Sequence, residues 1–239
     1  MLGIITARGG SKRVPRKNIK DFLGKPLLCW SIETGKTSGV FDRFILTTED
    51  DEIAEVGRRA GIEVPFKRPE EFATDTSSSL DVIKHAVTWL KDNDSYTSEW
   101  IILLEPSAPG RQPFHIQEVA KLIEERGQEF DSVVGISETP GHFSPYKALI
   151  QKENGLVTRT DGVAVRDLTH RNQDVAKTYY INSNIYAFQS TNLFDPVKSS
   201  LWGARTLGYL MDSKYAIDID TPEDWEIAEV KMALLLKET

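Results

Sequence analysis

The first residues whose types and spacing suggest chemistry form a cationic loop near the N-terminus. The loop follows a short apolar run typical of a buried strand, and five of its basic residues fall within ten positions: Arg8, Lys12, Arg13, Arg16 and Lys17. Gly9 and Gly10 lack Cβ atoms, so backbone N–H groups can approach a ligand closely. Such N–H groups, together with arginine and lysine, bind phosphate oxygens. The loop predicts a site for a nucleoside triphosphate, with a solvated turn or a nucleic-acid patch as the alternatives.

Two aspartates near the C-terminus form a second group with chemical meaning. Asp218 and Asp220 alternate with isoleucines, and side chains at i and i+2 of a strand share one face. Two carboxylates held together repel each other unless a cation lies close to them. With a triphosphate as ligand, oxygen donors of this kind predict Mg²⁺. The alternative is that Asp220 or Thr221 caps the last predicted helix, which leaves Asp218 without a role.

Alternating strands and helices must position these groups. Apolar runs predict strands over residues 4–7, 43–47, 62–66, 100–104 and 131–136. Helical spacing predicts helices over residues 27–37, 49–60, 79–91, 113–123 and 223–236. The alternation predicts an α/β, Rossmann-like fold with a mostly parallel sheet and helices on both faces. Since ligands bind at the carboxyl ends of such strands, Arg8 after strand one and Arg68 after strand three are expected on one rim, while Glu49 follows strand two.

Composition limits the function classes. The chain has 239 residues and a net charge of −7, which does not favour general binding to nucleic acid. Its single cysteine, Cys29, permits no disulfide within the chain and suits a reducing compartment. No apolar run approaches the length of a membrane span, and no signal-peptide pattern is present. We expect one cytoplasmic domain over residues 1–239, with an inserted arm over residues 138–180, where periodicity weakens.

The loop over residues 67–79 has two interpretations. Hydroxyls from Thr76 to Ser79 are suited to cap the helix that begins near Leu80, and the residues alone favour this role. The second interpretation depends on a family resemblance, which four motifs in the same order carry. They are Arg8-Gly9-Gly10-Ser11-Lys12-x-x-Pro15-Arg16-Lys17-Asn18, Arg68-Pro69-x-x-x-Ala73-x-Asp75-x-x-Ser78, Glu105-Pro106-Ser107-Ala108-Pro109-Gly110-Arg111 and Asp218-Ile219-Asp220.

These motifs resemble those of the CMP-sialic acid synthetases, which activate sialic, legionaminic and pseudaminic acids with CTP; the CMP-Kdo synthetases are more distant relatives. The resemblance covers residues 4–225 and implies a nucleotide-diphospho-sugar transferase-like fold. It implies nucleotide contacts from Ala7, Arg8, Gly9, Gly10, Ser11, Lys12, Lys17, Asn18, Arg68, Ser77 and Ser79. Among these, Arg68, Ser77 and Ser79 would read cytosine. Arg8 and Lys17 would join Asp218 and Asp220 as catalytic groups, with the aspartates as metal ligands.

The resemblance also implies where the sugar binds. Ser144-Pro145-Tyr146-Lys147 and Asn182-Ser183-Asn184-Ile185-Tyr186 are similar to sugar-contacting segments of the family. The implied sugar contacts are Glu105, Arg111, Lys147, Arg166, Asn182 and Tyr186, with Arg171 a weaker candidate. For Lys147 the alternative is an ordinary surface lysine. The family also uses the arm region to form a homodimer.

Three residues depart from the family pattern. Arg13 replaces the glycine of many sialate enzymes, and arginine is commoner here in the pseudaminate branch. Ser183 replaces a glycine, which alters the demands on that turn. Glu105 replaces a glutamine; an ionised carboxylate only accepts hydrogen bonds and repels an acidic sugar. Either Glu105 binds a hydroxyl, amide or amino group, or the sugar differs from the usual one.

The resemblance thus predicts a cytidylyltransferase that transfers CMP from CTP to the anomeric hydroxyl of an acidic nonulosonic sugar and releases pyrophosphate. A nucleotidyltransferase for another sugar, such as Kdo or a hexose phosphate, is the second hypothesis. A non-catalytic nucleotide-binding protein is the third, and retention of both the phosphate-loop cations and the aspartate pair argues against it.

Overall fold

A computed structural model describes residues 1–74, 76–167 and 176–238 of the chain. The strands in chain order are β1 (Leu2–Thr6), β2 (Asp21–Phe22), β3 (Lys25–Pro26), β4 (Arg43–Thr47), β5 (Trp100–Leu103), β6 (Ser132–Glu138), β7 (Leu149–Gln151), β8 (Val157–Arg159), β9 (Tyr179–Gln189) and β10 (Thr206–Leu210). The α-helices are α1 (Leu27–Ser38), α2 (Asp51–Ala60), α3 (Ser79–Asp94), α4 (Pro113–Arg126), α5 (Ser190–Leu193) and α6 (Pro222–Glu238).

The central sheet has six strands in the order β10-β6-β9-β5-β1-β4. β1 pairs in parallel with both β4 and β5, and β10 pairs in parallel with β6. β9 lies antiparallel between β5 and β6. The sheet is therefore mostly parallel, as predicted, and the carboxyl ends of β1, β4 and β5 open on one edge. Two small antiparallel pairs, β2-β3 and β7-β8, lie outside it.

Helices cover both faces of the sheet because consecutive strand residues point in opposite directions. Ile5 and Ile102 pack with side chains from α1, α2 and α4. Ile4 and Leu103 pack on the other face, with side chains from α3 and α5. All four side chains are at most 1% exposed, and replacing a buried isoleucine such as Ile5 by alanine typically costs about 2–5 kcal/mol. This double core fixes the strand ends that carry the loops of interest.

A third core cluster attaches the C-terminus to this framework. Ile217 and Ile219 pack with Trp225 and Met232 of α6 and with Leu27 of α1. The strand geometry expected around Asp218 and Asp220 is wrong, because the segment before α6 pairs in none of the described sheets; the Ile219 N–H donates instead to the Ser107 carbonyl oxygen at 3.0 Å. The predicted strand over residues 62–66 is also reduced to a single parallel bridge between Ile45 and Glu63.

The predicted arm begins at the end of β6. It contains 3₁₀ turns at Gly141–Phe143, Pro145–Lys147 and Val165–Asp167 and the β7-β8 hairpin. Gly155 lies in the hairpin turn with φ 80°, a left-handed conformation that glycine adopts without strain. In the described part of the chain, no helix combines the length and apolar character needed to cross a membrane.

Candidate active site

A cleft of about 320 Å³ opens at the carboxyl ends of β1 and β5. Ten of the predicted site residues line it: Arg8, Ser11, Lys12, Lys17, Asn18, Arg68, Ser77, Ser79, Glu105 and Asp220. They come from four separate parts of the chain. Arg8 and Asp220, which are 212 positions apart in the sequence, therefore share one cleft.

The cationic loop touches the C-terminal aspartates directly. Lys17 Nζ donates to the carbonyl oxygen of Ile219 at 2.6 Å and to Asp220 Oδ1 at 3.3 Å. An Nη atom of Arg13 lies 3.9 Å from the Asp220 carboxylate. Asn18 is buried and donates from Nδ2 to the Arg8 carbonyl oxygen at 3.0 Å, which holds the loop in shape. One wall of the cleft is therefore cationic and meets an anionic wall at Lys17 and Asp220.

Gly9 has a different environment from the one predicted. Its N–H donates to Glu49 Oε1 at 2.7 Å instead of being directed at the cleft. A Cβ atom on Gly9 would lie 2.4 Å from Asp50 Oδ2, so only glycine fits beside that carboxylate. Asp50 caps α2 and pairs with Arg16, whose guanidinium also contacts Glu52. Hydrogen bonds and ion pairs from Gly9 and Arg16 thus connect the loop to the start of α2.

The surroundings of Gly10 and Ala7 differ from each other, and their nucleotide contacts stay predictions. Gly10 is exposed, and a Cβ atom there would meet nothing within 4 Å, so close packing does not require a glycine. Ala7 is 1% exposed and packs in the core below the cleft. Its carbonyl oxygen accepts a hydrogen bond from Arg68 at 3.0 Å. Ala7 thus helps to orient Arg68, the predicted base-reading residue, through its backbone. Ala7 itself is not one of the described residues that line the cleft.

The predicted base-reading loop closes the other side of the cleft. Arg68 is 4% exposed, and its guanidinium donates to Glu49 as well as to Ala7. Arg8 donates to the Thr74 carbonyl oxygen at 3.1 Å, which joins the phosphate loop to this loop. The helix cap predicted among residues 76–79 is Ser78, whose Oγ accepts the Asp81 N–H at 3.1 Å.

Ser77 and Ser79 therefore remain on the lining of the cleft. The Ser77 hydroxyl donates to the Glu71 carbonyl oxygen at 3.0 Å and accepts the Thr74 N–H at 3.0 Å, which orders the turn. Asp75, part of the same motif, lies outside the described residues.

The aspartate pair alternates with buried residues, as a period of two requires. Ile217 and Ile219 enter the core, so Asp218 and Asp220 project to the opposite side. Thr221 caps α6: its Oγ1 accepts the Asp224 N–H at 3.1 Å, and Asp224 Oδ2 accepts the Thr221 N–H at 2.8 Å. Because Thr221 and Asp224 form this reciprocal cap, the carboxylates of Asp218 and Asp220 are not needed to cap α6.

Burial makes the anionic wall electrostatically unusual. The pKa of Asp218 is raised by burial, against hydrogen bonds from Ser107 and Ser183 that lower it. Burial raises the pKa of Glu105 to about 7, while the nearby Arg111 charge lowers it and Asp218 raises it. Bringing these carboxylates together without a cation is costly, because each disfavours ionisation of the other.

The donor set here fits a hard divalent cation only in part. Among the residues that the structure describes, no three His, Cys, Asp or Glu side chains are grouped so that they could hold a metal ion alone. Asp218 and Asp220 supply two oxygen-donor side chains of the kind Mg²⁺ prefers. Since Mg²⁺ keeps several waters and commonly binds substrate phosphates, two carboxylates suffice for a site shared with a triphosphate.

Arg111 is predicted to contact the sugar, and the structure shows it buried among protein groups, so the sugar contact stays a prediction. It is 1% exposed, and its guanidinium donates to the Asn184 carbonyl oxygen, the Ser31 hydroxyl and the Glu105 carbonyl oxygen. Burial lowers its pKa, opposed by the Glu105 carboxylate. Arg111 is a buried crosslink between α1, the loop after β5, and β9.

Asn182 is also internal and not at the cleft surface. It is 3% exposed, its Nδ2 donates to Ser137 Oγ at 3.0 Å, and its Oδ1 accepts the Asn184 N–H at 3.2 Å. Both polar atoms of its amide have protein partners, and Asn182 is not among the described residues that line the cleft, so its sugar contact stays a prediction.

The other predicted sugar contacts lie around the cleft. Tyr186 on β9 is half-buried and packs edge-on to Trp202 with ring centroids 5.4 Å apart. Lys147 lies in a 3₁₀ turn of the arm, and Arg166 is 87% exposed in another. Neither cation is among the described residues that line the cleft, so their sugar contacts stay predictions. Arg171 lies outside the described residues.

Several contributing residues were absent from the sequence-based site. Glu49 joins the phosphate loop to Arg68. Ser107 lines the cleft, and its carbonyl oxygen accepts the Ile219 N–H at 3.0 Å. Phe72 forms part of the cleft wall. Only Glu49 had a usable signal, its place after strand two at the same sheet edge. Its neighbours at positions 50–52 are acidic too, and a run of acidic residues is typical of a helix N-terminus, so the sequence favours that role for Glu49.

The sequence of this chain is similar to those of known proteins. A family model described as cytidylyltransferase matches residues 2–199. The chain is 31% identical over 229 residues to the pseudaminic acid cytidylyltransferase of Campylobacter jejuni, covering 96% of this chain and 94% of the relative. It is 29% identical to the CMP-N,N'-diacetyllegionaminic acid synthase of Legionella pneumophila, covering 98% and 97%.

A solved structure supports the same fold. A CMP:2-keto-3-deoxy-manno-octonic acid synthetase complexed with CTP superposes with a TM-score of 0.69 at 17% identity, covering 98% of both chains. At this identity the likeness concerns the fold alone, and it confirms the predicted nucleotidyltransferase-like α/β architecture. The family match, which spans four-fifths of the sequence, shows that the chain belongs to the cytidylyltransferase family.

Proposed function

We propose that this protein transfers CMP from CTP to the anomeric hydroxyl of an acidic nonulosonic sugar. The anomeric oxygen forms a bond to the α-phosphorus, the bond from that phosphorus to the bridging oxygen breaks, and pyrophosphate leaves. The hydroxyl proton is released to solvent. The cytoplasm is the proposed location, because a single cysteine suits a reducing compartment.

One observation carries the proposal. The cleft unites the cationic loop with Asp220 through direct contact between Lys17 and Asp220, and Asp218 lies two positions before it in the chain, outside the cleft lining. A polyphosphate needs cations along its oxygens, and an in-line displacement needs little covalent chemistry from the protein beyond positioning and charge stabilisation. Arg8, Lys12 and Lys17 supply the charge, and the Ser11 hydroxyl supplies a further hydrogen-bonding group.

Lys17 has the central place among these cations. Its Nζ already bridges Ile219 and Asp220, so it sits between the predicted metal ligands and the phosphate loop. A phosphate between the two walls would exchange part of this contact for a charge-assisted hydrogen bond from Lys17. On this basis the proposal assigns Lys17 to the α-phosphate, and Arg8 and Lys12 to the leaving pyrophosphate.

Base selection is assigned to the loop after Arg68. Arg68 lines the cleft while Glu49 and Ala7 hold its guanidinium, so it is pre-oriented instead of mobile. An arginine donor suits the cytosine carbonyl oxygen, and the hydroxyls of Ser77 and Ser79 both donate and accept. This arrangement supports a preference for CTP, in agreement with the names of the relatives.

Asp218 and Asp220 are proposed to hold Mg²⁺ together with phosphate oxygens and water. When bound, the ion would polarise the α-phosphate and lower the pKa of the attacking hydroxyl. The protein's own part is to keep both carboxylates on one side of an extended segment, which Ile217 and Ile219 anchor in the core. Lys17 limits the repulsion between the carboxylates before the ligands arrive.

The sugar is proposed to bind beside Glu105 and Tyr186. Both relatives compared above are named for nine-carbon acidic sugars, pseudaminic and legionaminic acid, that carry acylated amino groups. A carboxyl with a pKa near 7 is partly protonated at neutral pH, so Glu105 can donate as well as accept. This resolves part of the conflict between Glu105 and an acidic substrate.

The arm is proposed to join two copies of the chain. Apolar side chains on the arm and on the adjoining end of β9 are exposed: Phe143, Leu149, Ile150, Leu156, Tyr180 and Ile181. Exposed apolar side chains concentrated in one region of the chain support an interaction surface there. A homodimer formed there would bring the arm cations Lys147 and Arg166 towards a cleft, in either the same or the partner subunit.

The test is a pyrophosphate-release assay with the purified chain. CTP, ATP, GTP and UTP are each combined with sialic, legionaminic, pseudaminic and Kdo acids and Mg²⁺. We expect release with CTP and at least one nonulosonic acid, and its loss in the double variant Asp218→Asn with Asp220→Asn. Binding of CTP without turnover on any sugar acid would instead favour a non-catalytic nucleotide-binding protein.

A further inference from the structure

Helix α6 is apolar on two opposite sides, and the protein core covers one of them. Four side chains of the covered side are buried in the third core cluster: Trp225, Ala228, Met232 and Leu235. On the other side, Ile227, Val230 and Leu234 are 47%, 64% and 57% exposed. A surface helix typically directs one apolar side at the core and polar residues at the solvent. The outer side of α6 therefore has the composition of a contact surface.

The residues on the outer side of α6 follow a regular spacing. Starting at Glu223, they recur after four, three, four and three positions, at Ile227, Val230, Leu234 and Lys237. Alternating steps of four and three keep side chains on one stripe of a helix, and two helices pack along their length through stripes of this kind. These five residues are called the outer stripe below. The outer stripe is about 21 Å long, with apolar residues in its middle and a charge at each end.

The two ends of the outer stripe carry opposite charges at equal distances from its centre. Glu223 lies seven positions before Val230 and Lys237 lies seven positions after it, and both charged side chains are exposed. In the described part of the chain neither one forms an ion pair, whereas the adjacent Glu238 pairs with Lys214 at 2.8 Å. An antiparallel second copy of the helix would place Glu223 of each copy beside Lys237 of the other. A parallel copy would bring like charges together, which disfavours it.

We propose that the outer stripe is a self-association surface, on which α6 of a second copy packs antiparallel about a two-fold axis near Val230. A contact of this symmetry requires a surface that is complementary to itself under a two-fold rotation. The outer stripe meets this condition, because Ile227 would face Leu234 and each end charge would face its opposite. A different protein would not require the stripe to be symmetric about its middle. The outer stripe shares no residue with the cleft or with the arm, so the inference depends on neither the proposed function nor the arm contact.

The first test measures the mass of the full chain in solution by sedimentation over a range of protein concentrations. Val230→Lys would place two lysines at the centre of the contact, and lysine is a better helix former than valine, so α6 itself should persist. The matched control is Val197→Lys, the same change at a residue that is 93% exposed outside α6. We expect Val230→Lys to halve the mass of the largest species relative to the control, with an unchanged circular dichroism spectrum. Equal masses for the two variants would overturn the inference.

The second test reverses the end charges and distinguishes a second copy from any other partner. Glu223→Lys and Lys237→Glu each turn two attractive contacts between the copies into repulsive ones, so each should weaken self-association about ten-fold. The double variant restores opposite charges across the contact, and its self-association should return to the parent value. Both substitutions oppose the helix dipole, so this recovery could not come from a more stable helix. A double variant that associates as weakly as the single variants would overturn the antiparallel contact.

Discussion

Glu49 connects the phosphate loop to the base-reading loop, and replacing it by glutamine tests whether that connection is structural. One carboxylate oxygen accepts the Gly9 N–H at 2.7 Å, and the other accepts the Arg68 guanidinium. Glu49→Gln keeps the size and one acceptor oxygen. The new amide NH₂ group would face the guanidinium, which offers only donors.

The size of the effect follows from the burial of the pair. The Arg68 side chain is 3% exposed and that of Glu49 is 16% exposed, so solvent compensates little for the lost charge. Removing one partner of a buried ion pair typically costs about 3–5 kcal/mol. Because Glu49 is partly accessible and its replacement keeps the Gly9 contact, we expect the lower end, about 3 kcal/mol. For a chain of this size that corresponds to a melting temperature lower by about 6–12 °C.

The assay is thermal unfolding followed by circular dichroism, with Glu129→Gln as the matched control. Glu129 pairs with Arg126 at 2.7 Å, but the two side chains are 58% and 47% exposed. Exposed pairs contribute about 0–1 kcal/mol, so the control should lower the melting temperature by at most about 3 °C. The chemical change is identical in the two variants, and only the burial of the partner arginine differs.

Equal melting temperatures for Glu49→Gln and Glu129→Gln would refute this reasoning. Such a result would mean that Arg68 keeps its charge compensated without Glu49, by solvent or by a rearranged loop. A second measurement tests whether the substitution also weakens nucleotide binding. CTP should raise the melting temperature of Glu49→Gln less than that of the parent chain. The expected cause is that both loops that hold the nucleotide lose a shared anchor.

Three further predictions concern separate parts of the molecule. The pKa of Glu105 is raised to about 7, so the folded state binds the Glu105 proton more tightly than the unfolded state; the resulting stabilisation is full below about pH 4 and is lost as the pH rises through 7. Glu105→Gln should therefore remove up to about 3 kcal/mol of the fall in unfolding free energy between about pH 4 and pH 8. Urea titrations that show an unchanged fall in the variant would contradict this prediction. Leu156→Lys on the arm should weaken a dimer measured by sedimentation, whereas Val197→Lys, at an apolar residue that is 93% exposed outside the arm, should not; equal effects would move the interface elsewhere. Lys17→Met should lower pyrophosphate release from CTP at least about 100-fold, while Lys20→Met, which removes only a cation over the Trp225 ring, should leave it near the parent rate; equal rates would exclude Lys17 from the phosphate site.

The fold was predictable where periodicity and burial agree. The runs over residues 4–7 and 100–104 are largely apolar because they form inner strands of the sheet and both of their faces are covered. The prediction over residues 62–66 failed because the run has the composition of a strand, yet it pairs only through Glu63. Strand β9 lies antiparallel within the sheet, and no local pattern indicates which strand neighbours which.

The sequence predicted the part of the candidate site that consists of charged side chains grouped in short loops. The cationic loop, Arg68 and the aspartate pair come together because each follows a strand or anchors in the core beside one, and strand ends share an edge. Hydrogen bonds within the protein were not predictable in this way. The Gly9 N–H looked suitable for phosphate from its sequence alone, but the fold brings Glu49 within 2.7 Å of it.

Arg111 shows most clearly why a motif does not reveal the role of each member. An arginine that ends a loop beside a nucleotide site suggests an anion contact, yet this guanidinium is 1% exposed and binds backbone oxygens of Glu105 and Asn184. Those two carbonyls belong to the loop after β5, which carries Ser107 of the cleft lining, and to strand β9, which also carries Tyr186. A buried cation that joins this loop to β9 stabilises the edge of the cleft without reaching its surface. Arg111 is therefore coupled to the chemistry through geometry, and its effect on the site passes through the backbone.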